Sequence, residues 1–117
     1  MKILITGSRY ISARALRITR NLVRSLLLSD HTILCGGAKG VDHQVVIVAR
    51  KLWRLNQIQV FLANRGEYLK RDRKMVHLSD KVIAIWNGKS RGTKYTFTYA
   101  KKLKKPVQLY VFGENER

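Results

Sequence analysis

The chain has 117 residues, 45% of them apolar, which suits one domain around one core, and no apolar run approaches the ~18 residues of a spanning helix. Its charge is one-sided: 24 Lys and Arg stand against 7 Asp and Glu, a formal net of +17, so ion pairs among its own side chains cannot absorb the excess. Either the basic surface serves solubility, or it meets an external polyanion such as nucleic acid.

Other classes recede. The opening MKILITGSR carries one lysine and too few apolar residues for a signal or transit peptide, so a soluble, cytoplasmic protein is expected. A single cysteine, Cys35, forms no internal disulfide, and with His31, His43 and His77 it lacks zinc-ligand spacing, so no metal site is expected.

In chain order, Lys2–Thr6 is a short β-rich run closed by Gly7, followed by Ser8 and Arg9. Ser12 can cap a helix over Ala13–Leu28, whose apolar side includes Ala15, Leu16, Leu22, Val23 and Leu26. Arg14, Arg17, Arg20 and Arg24 share its outward face, as a solvated stripe or as a phosphate track. Thr32–Cys35 forms a second strand and leads into GGAKGVD, after which a helix from Asp42 to about Leu55 is apolar on most sides, Trp53 included.

Ile58–Leu62 reads as a third strand, interrupted by Gln59. The basic segment NRGEYLKRDRKMVHLSD then carries a helix over Tyr68–Leu78. Lys81–Trp86 is continuously apolar after its lysine and runs into the loop WNGKSRGT. A last helix spans Thr93–Lys105, and Val107–Phe112 is a fifth strand with a polar position at Gln108. The tail Gly113–Arg117 is expected to fray.

Five strands alternating with helices predict a parallel α/β sheet in a Rossmann-like three-layer sandwich, a single domain over residues 1–117. Unbroken apolar strands belong in the middle and interrupted ones at the edges, which gives the order 3-2-1-4-5. Chain direction then reverses between the first and fourth strands, and the crevice at their carboxyl ends is the expected ligand site.

Three glycine-containing loops reach that crevice. Gly7, Ser8 and Arg9 form the first; Gly36, Gly37, Lys39, Gly40 and Asp42 the second; Asn87, Gly88, Lys89, Ser90, Arg91, Gly92 and Thr93 the third. Missing side chains let backbone N–H groups approach a phosphate, and the following helix N-termini add unpaired donors and partial positive charge. Arg9, Lys39, Arg91 and Thr93 are read as phosphate ligands, with Arg71 and Arg73 flanking. Asp42 caps its helix, addresses a sugar hydroxyl, or acts as a base. Ser8 and Ser90 bond phosphate or stabilise their turns, and neither has a nucleophile's setting. Tyr10, Tyr95 and Trp86 are candidates for stacking on a base.

GSR after the first strand, GGAKGVD after the second, RDRKMV, and SDKVIAIWNGKSRGT before the last helix together resemble the SLOG superfamily, in its YspA-like branch. That superfamily takes in DNA-processing protein A and the Lonely Guy phosphoribohydrolases. The resemblance implies a Rossmann-like sheet that binds a nucleotide or nucleotide-derived ligand, such as one related to ADP-ribose. Two positions depart from it. Lonely Guy enzymes continue the glycine loop into GTxxE, and here the glutamate position is Thr96, which disfavours phosphoribohydrolase chemistry by that route. YspA-like sequences usually show asparagine where this chain has Asp72.

The leading expectation is binding of a phosphate-bearing nucleotide derivative at the glycine loops, as sensor or nucleotide-processing protein. The alternative is a single-stranded DNA-binding module using the mouth and the Arg14–Arg24 stripe. A nucleotide hydrolase using Asp42 ranks third. The apolar surface of the second and fourth helices is compatible with a homodimer.

Overall fold

In the computed structural model, residues 1–113 are described, and of the tail expected to fray only Gly113 falls among them. The elements are β1 (Lys2–Gly7), α1 (Ala13–Leu28), β2 (Thr32–Gly36), α2 (Val41–Lys51), β3 (Ile58–Phe61), α3 (Tyr68–Leu78), β4 (Lys81–Trp86), α4 (Arg91–Lys102) and β5 (Val107–Val111), with one 3-10 turn at Leu55–Gln57. All strand pairs are parallel and the order is β3-β2-β1-β4-β5, as the polar interruptions predicted. This is the Rossmann-like α/β fold.

Alternation along the strands sorts the core into two layers. Ile3, Ile5, Ile33, Cys35, Ile83 and Ile85 pack with Ala15, Val23 and Leu27 of α1 and Val41, Val45 and Ala49 of α2. Leu4, Leu34 and Val82 face the other way, onto Met75 and Val76 of α3 and Ala100 of α4. No helix among the described residues is long and apolar enough to cross a membrane.

Helices α2 and α4 depart at their ends from the sequence-based expectation. α2 stops at Lys51 rather than near Leu55, and Trp53 is not a core residue: it takes a left-handed backbone, φ 57°, and is 93% exposed. The next residue fixes that turn, since Arg54 Nη1 donates to Leu27 O at 3.0 Å and Arg54 N donates to Ala49 O at 2.8 Å. α4 starts at Arg91, capped by Ser90, and stops at Lys102, because Lys104 turns left-handed, φ 61°. Lys105 Nζ then donates to the carbonyls of His77 and Ser79, joining the end of α4 to the end of α3.

Candidate functional site

The carboxyl ends of β1, β2 and β4 open on a cavity of about 410 Å³, of the size that holds small ligands. Thr6, Gly7, Arg9 and Tyr10 line it from the first loop, Gly36, Ala38 and Asp42 from the second, and Asn87, Lys89, Ser90, Gly92 and Thr93 from the third. Its remaining wall is α3, through Tyr68, Arg71, Asp72 and Met75.

Ser8 holds the three loops together. Fully buried, it donates its N–H to Ile85 O at 3.0 Å, its Oγ accepts from Asn87 N at 3.0 Å, and its carbonyl accepts from Val41 N at 3.3 Å. Asn87 shapes the third loop in turn: its Oδ1 accepts from Lys89 N at 2.8 Å and Ser90 N at 2.9 Å, and its Nδ2 donates to Tyr10 O at 2.8 Å. Ser90 Oγ accepts from Thr93 N at 3.4 Å and caps α4. Both serines and Asn87 thus have partners inside the loops.

The glycines divide by what they admit. Gly40, at φ 75°, lies against the first loop, where a Cβ would come within 2.5 Å of the Ser8 and Arg9 carbonyl oxygens. At Gly7 a Cβ would meet the Val41 side chain at 2.4 Å, and at Gly37 the Leu62 side chain at 2.6 Å. Gly88 takes φ 84° in the turn before α4. Gly92 faces open space and lines the mouth, so a ligand can approach the start of α4 there.

Asp42 is not the cap of α2. Gly40 occupies that position without a side-chain bond, and Asp42, in the first turn, reaches back so that its Oδ2 accepts from Ala38 N at 3.3 Å. Burial pushes its carboxyl up to about 6, against the opposing pull of the Ala38 N–H and of Arg71. Across from it, Arg71 Nε donates to Asp72 Oδ1 at 2.8 Å and Arg71 Nη1 donates to Phe61 O at 2.9 Å. Asp72 is buried as well, and desolvation raises its pKa while Arg71 and the Thr96 hydroxyl lower it. Thr96, at the position of the Lonely Guy glutamate, donates its hydroxyl to Gly92 O at 2.9 Å within α4.

The basic residues expected at the site separate. Arg9, Arg71 and Lys89 line the cavity; Lys39 stands outside its lining, with Nζ 5.5 Å from the centre of the Tyr10 ring. Arg73 Nη1 donates to Tyr95 OH at 3.0 Å, on the far side of α3. Arg91 lies on the outer face of α4, in a shallow surface groove with Lys94, Tyr95, Tyr99 and Lys102. Tyr95 therefore leaves the mouth with it. Trp86 is half-buried, its Nε1 donating to Ser90 O at 2.9 Å, whereas Tyr10 remains exposed at the rim. Of the α1 stripe, Arg14, Arg17 and Arg24 are exposed and Arg20 Nη1 donates to Gln44 Oε1 at 3.1 Å.

Tyr68 and Met75 were not singled out from the sequence as site residues. With Asp72 they recur at four- and three-residue spacing, which places them on one face of α3. That spacing was the available signal.

Residues 1–64 match the family of DNA recombination-mediator protein A. Among solved structures the fold is similar to DNA processing protein A from Helicobacter pylori, described for its single-stranded DNA binding mode, at 24% identity and a TM-score of 0.74. The match covers 93% of this chain and 64% of that one, so this chain spans under two thirds of that relative's length. It is similar also to the molybdenum cofactor carrier protein from Chlamydomonas reinhardtii, at 21% identity and a TM-score of 0.73, covering 92% of this chain and 74% of the carrier. A search among curated proteins finds no match.

Proposed function

The chain belongs to the family of DNA recombination-mediator protein A, and from that premise we propose that it binds single-stranded nucleic acid, with one nucleotide of the strand seated in the mouth. The supporting observation is the convergence of the α2 and α4 N-termini on one nucleotide-sized cavity that Arg9 and Lys89 also line, in a chain of net charge +17. The first turns of α2 and α4 offer N–H donors to a phosphate, and the two side chains add full positive charge. Tyr68, Met75 and Tyr10 give the base apolar and aromatic walls. The exposed arginines of α1 then carry neighbouring phosphates.

A free nucleotide is the second reading, favoured by the two carboxylates. Asp42 and Asp72 repel phosphate but accept hydrogen bonds from sugar hydroxyls or base amino groups, which suits a small ligand with several donors. An ADP-ribose-like molecule fits that description. The narrower YspA-like placement rests on motifs alone and does not decide between the two.

Binding of a labelled single strand across a salt series tests the first reading. Affinity falls steeply with salt, with a log–log slope of about 0.7 per phosphate neutralised, and weakens in Arg9→Ala and Lys89→Ala. A response to AMP or ADP-ribose, with none to the strand, would instead establish the second.

A further inference from the structure

We propose that Trp53 is a base-stacking site for single-stranded nucleic acid, on the α1–α2 side of the molecule and separate from the mouth. This rests on the reading of the chain as a nucleic-acid binder but uses none of the mouth's residues.

The backbone at Trp53 is the first observation. Trp53 N donates to Arg50 O at 3.2 Å and Arg54 N donates to Ala49 O at 2.8 Å, the paired bonds of a left-handed helix ending. Glycine is the residue that adopts φ 57° there without strain; a bulky aromatic side chain does so at a cost. The cost is not recovered by packing, because the ring is 93% exposed. A large aromatic held in a strained backbone conformation and turned to solvent is poised for contact with another molecule.

The surroundings say which kind. Trp53 shares a surface cleft with Arg50, Leu55 and Asn56, and the adjoining groove between α1 and α2 is lined by Arg20, Arg24 and Lys51 among others. Arg50 lines the first depression and Lys51 the second, both at the end of α2. No acidic residue lines either one. The nearby acid, Asp30, is engaged by Arg54 at 3.1 Å. Arg50 beside an exposed indole, with Arg24 and Lys51 in the neighbouring groove, gives charge complementarity to a phosphate backbone together with a platform for an unpaired base, the combination that holds single strands without sequence preference. Trp53 does what the arginine stripe alone cannot: it distinguishes exposed bases from a closed duplex.

The test uses intrinsic fluorescence and two substitutions. A short thymidine oligonucleotide is expected to quench the exposed Trp53, and the measurement is made in a Trp86→Phe background, because Trp86 is bonded to Ser90 at the mouth and could respond to a nucleotide seated there. Trp53→Gly suits the left-handed backbone, so its melting temperature equals or exceeds that of the parent, and affinity for a labelled strand falls about ten-fold. Trp53→Phe keeps most of the affinity. The salt slope is unchanged in Trp53→Gly and falls in the double variant Arg24→Ala, Lys51→Ala. Undiminished strand affinity in Trp53→Gly overturns the proposal, and so does an emission shift given by phosphatidylserine vesicles but not by the oligonucleotide. If Arg9→Ala and Lys89→Ala leave strand binding intact while Trp53→Gly lowers it, the mouth reading fails and this one stands.

Discussion

The guanidinium of Arg71 lies over Gly36: a Cβ built on that glycine would stand 2.7 Å from Arg71 Nη1 and 2.9 Å from Asp42 Oδ2. The missing side chain at the end of β2 therefore makes room for an arginine and a carboxylate of the protein itself. It does not simply expose backbone to a ligand.

Gly36→Ala is expected to displace Arg71 from its bond to Phe61 O and to destabilise the fold by about 1–3 kcal/mol, with weaker ligand binding. Gly40→Ala should cost more, since its Cβ would meet two backbone carbonyls that cannot swing aside and its φ of 75° is strained for alanine. Thermal unfolding of the two variants side by side checks the order.

Asp42 sets a pH dependence. Its pKa is raised from 3.8 to about 6 in the fold, so the folded state holds the proton more tightly than the unfolded chain, and stability declines as pH rises from about 4 to about 6. Asp42→Asn removes its share of that decline, and Asp72, also raised by burial, keeps its own. The variant should gain stability on the order of 3 kcal/mol at neutral pH and lose the advantage below about pH 4, measured by urea unfolding at both ends.

Ser8→Ala leaves the Asn87 N–H without its acceptor at the junction of the three loops. A stability loss of about 1–3 kcal/mol is expected. The salt slope of nucleic-acid binding should stay as in the parent, because no charge has been removed. Weaker strand affinity with unchanged melting temperature and unchanged slope would mean that the hydroxyl contacts phosphate directly.

Arg9 and Arg91 separate the mouth from the outer face of α4. Arg9→Ala should weaken AMP binding, and Arg91→Ala should leave it unchanged, because Arg91 sits with Lys94 and Lys102 outside the cavity. Calorimetric titration of both variants with AMP decides it.

The sheet and most elements were legible because their signals are local. α1, α3 and β4 have the bounds their periodicity predicts, and the polar positions Gln59 and Gln108 mark the edge strands. The ends of α2 and α4 were not, because the left-handed residues that stop them are Trp53 and Lys104 rather than glycines. In the site, the three loops could be read from glycine spacing, whereas the contribution of α3 depended on its rotation. Arg71 and Arg73 are two residues apart, about 200° around a helix, so only one can face the mouth. Sequence alone does not say which; the fold turns Arg71 inward with Tyr68, Asp72 and Met75. Asp42 looked like a cap because acids favour that place, but Gly40, pressed against the Ser8 and Arg9 carbonyls, takes it.

The bonds of Ser8 bear on how a ligand is received. One buried side chain and its backbone fasten β1, β4 and α2 at a single point, so the three loops cannot open independently. A ligand proposed to enter the mouth would meet loops already fixed in place, and little loop entropy would be lost on binding. A ligand there would enter a fixed lock, with adjustment left to the cationic side chains at the rim rather than to the loops.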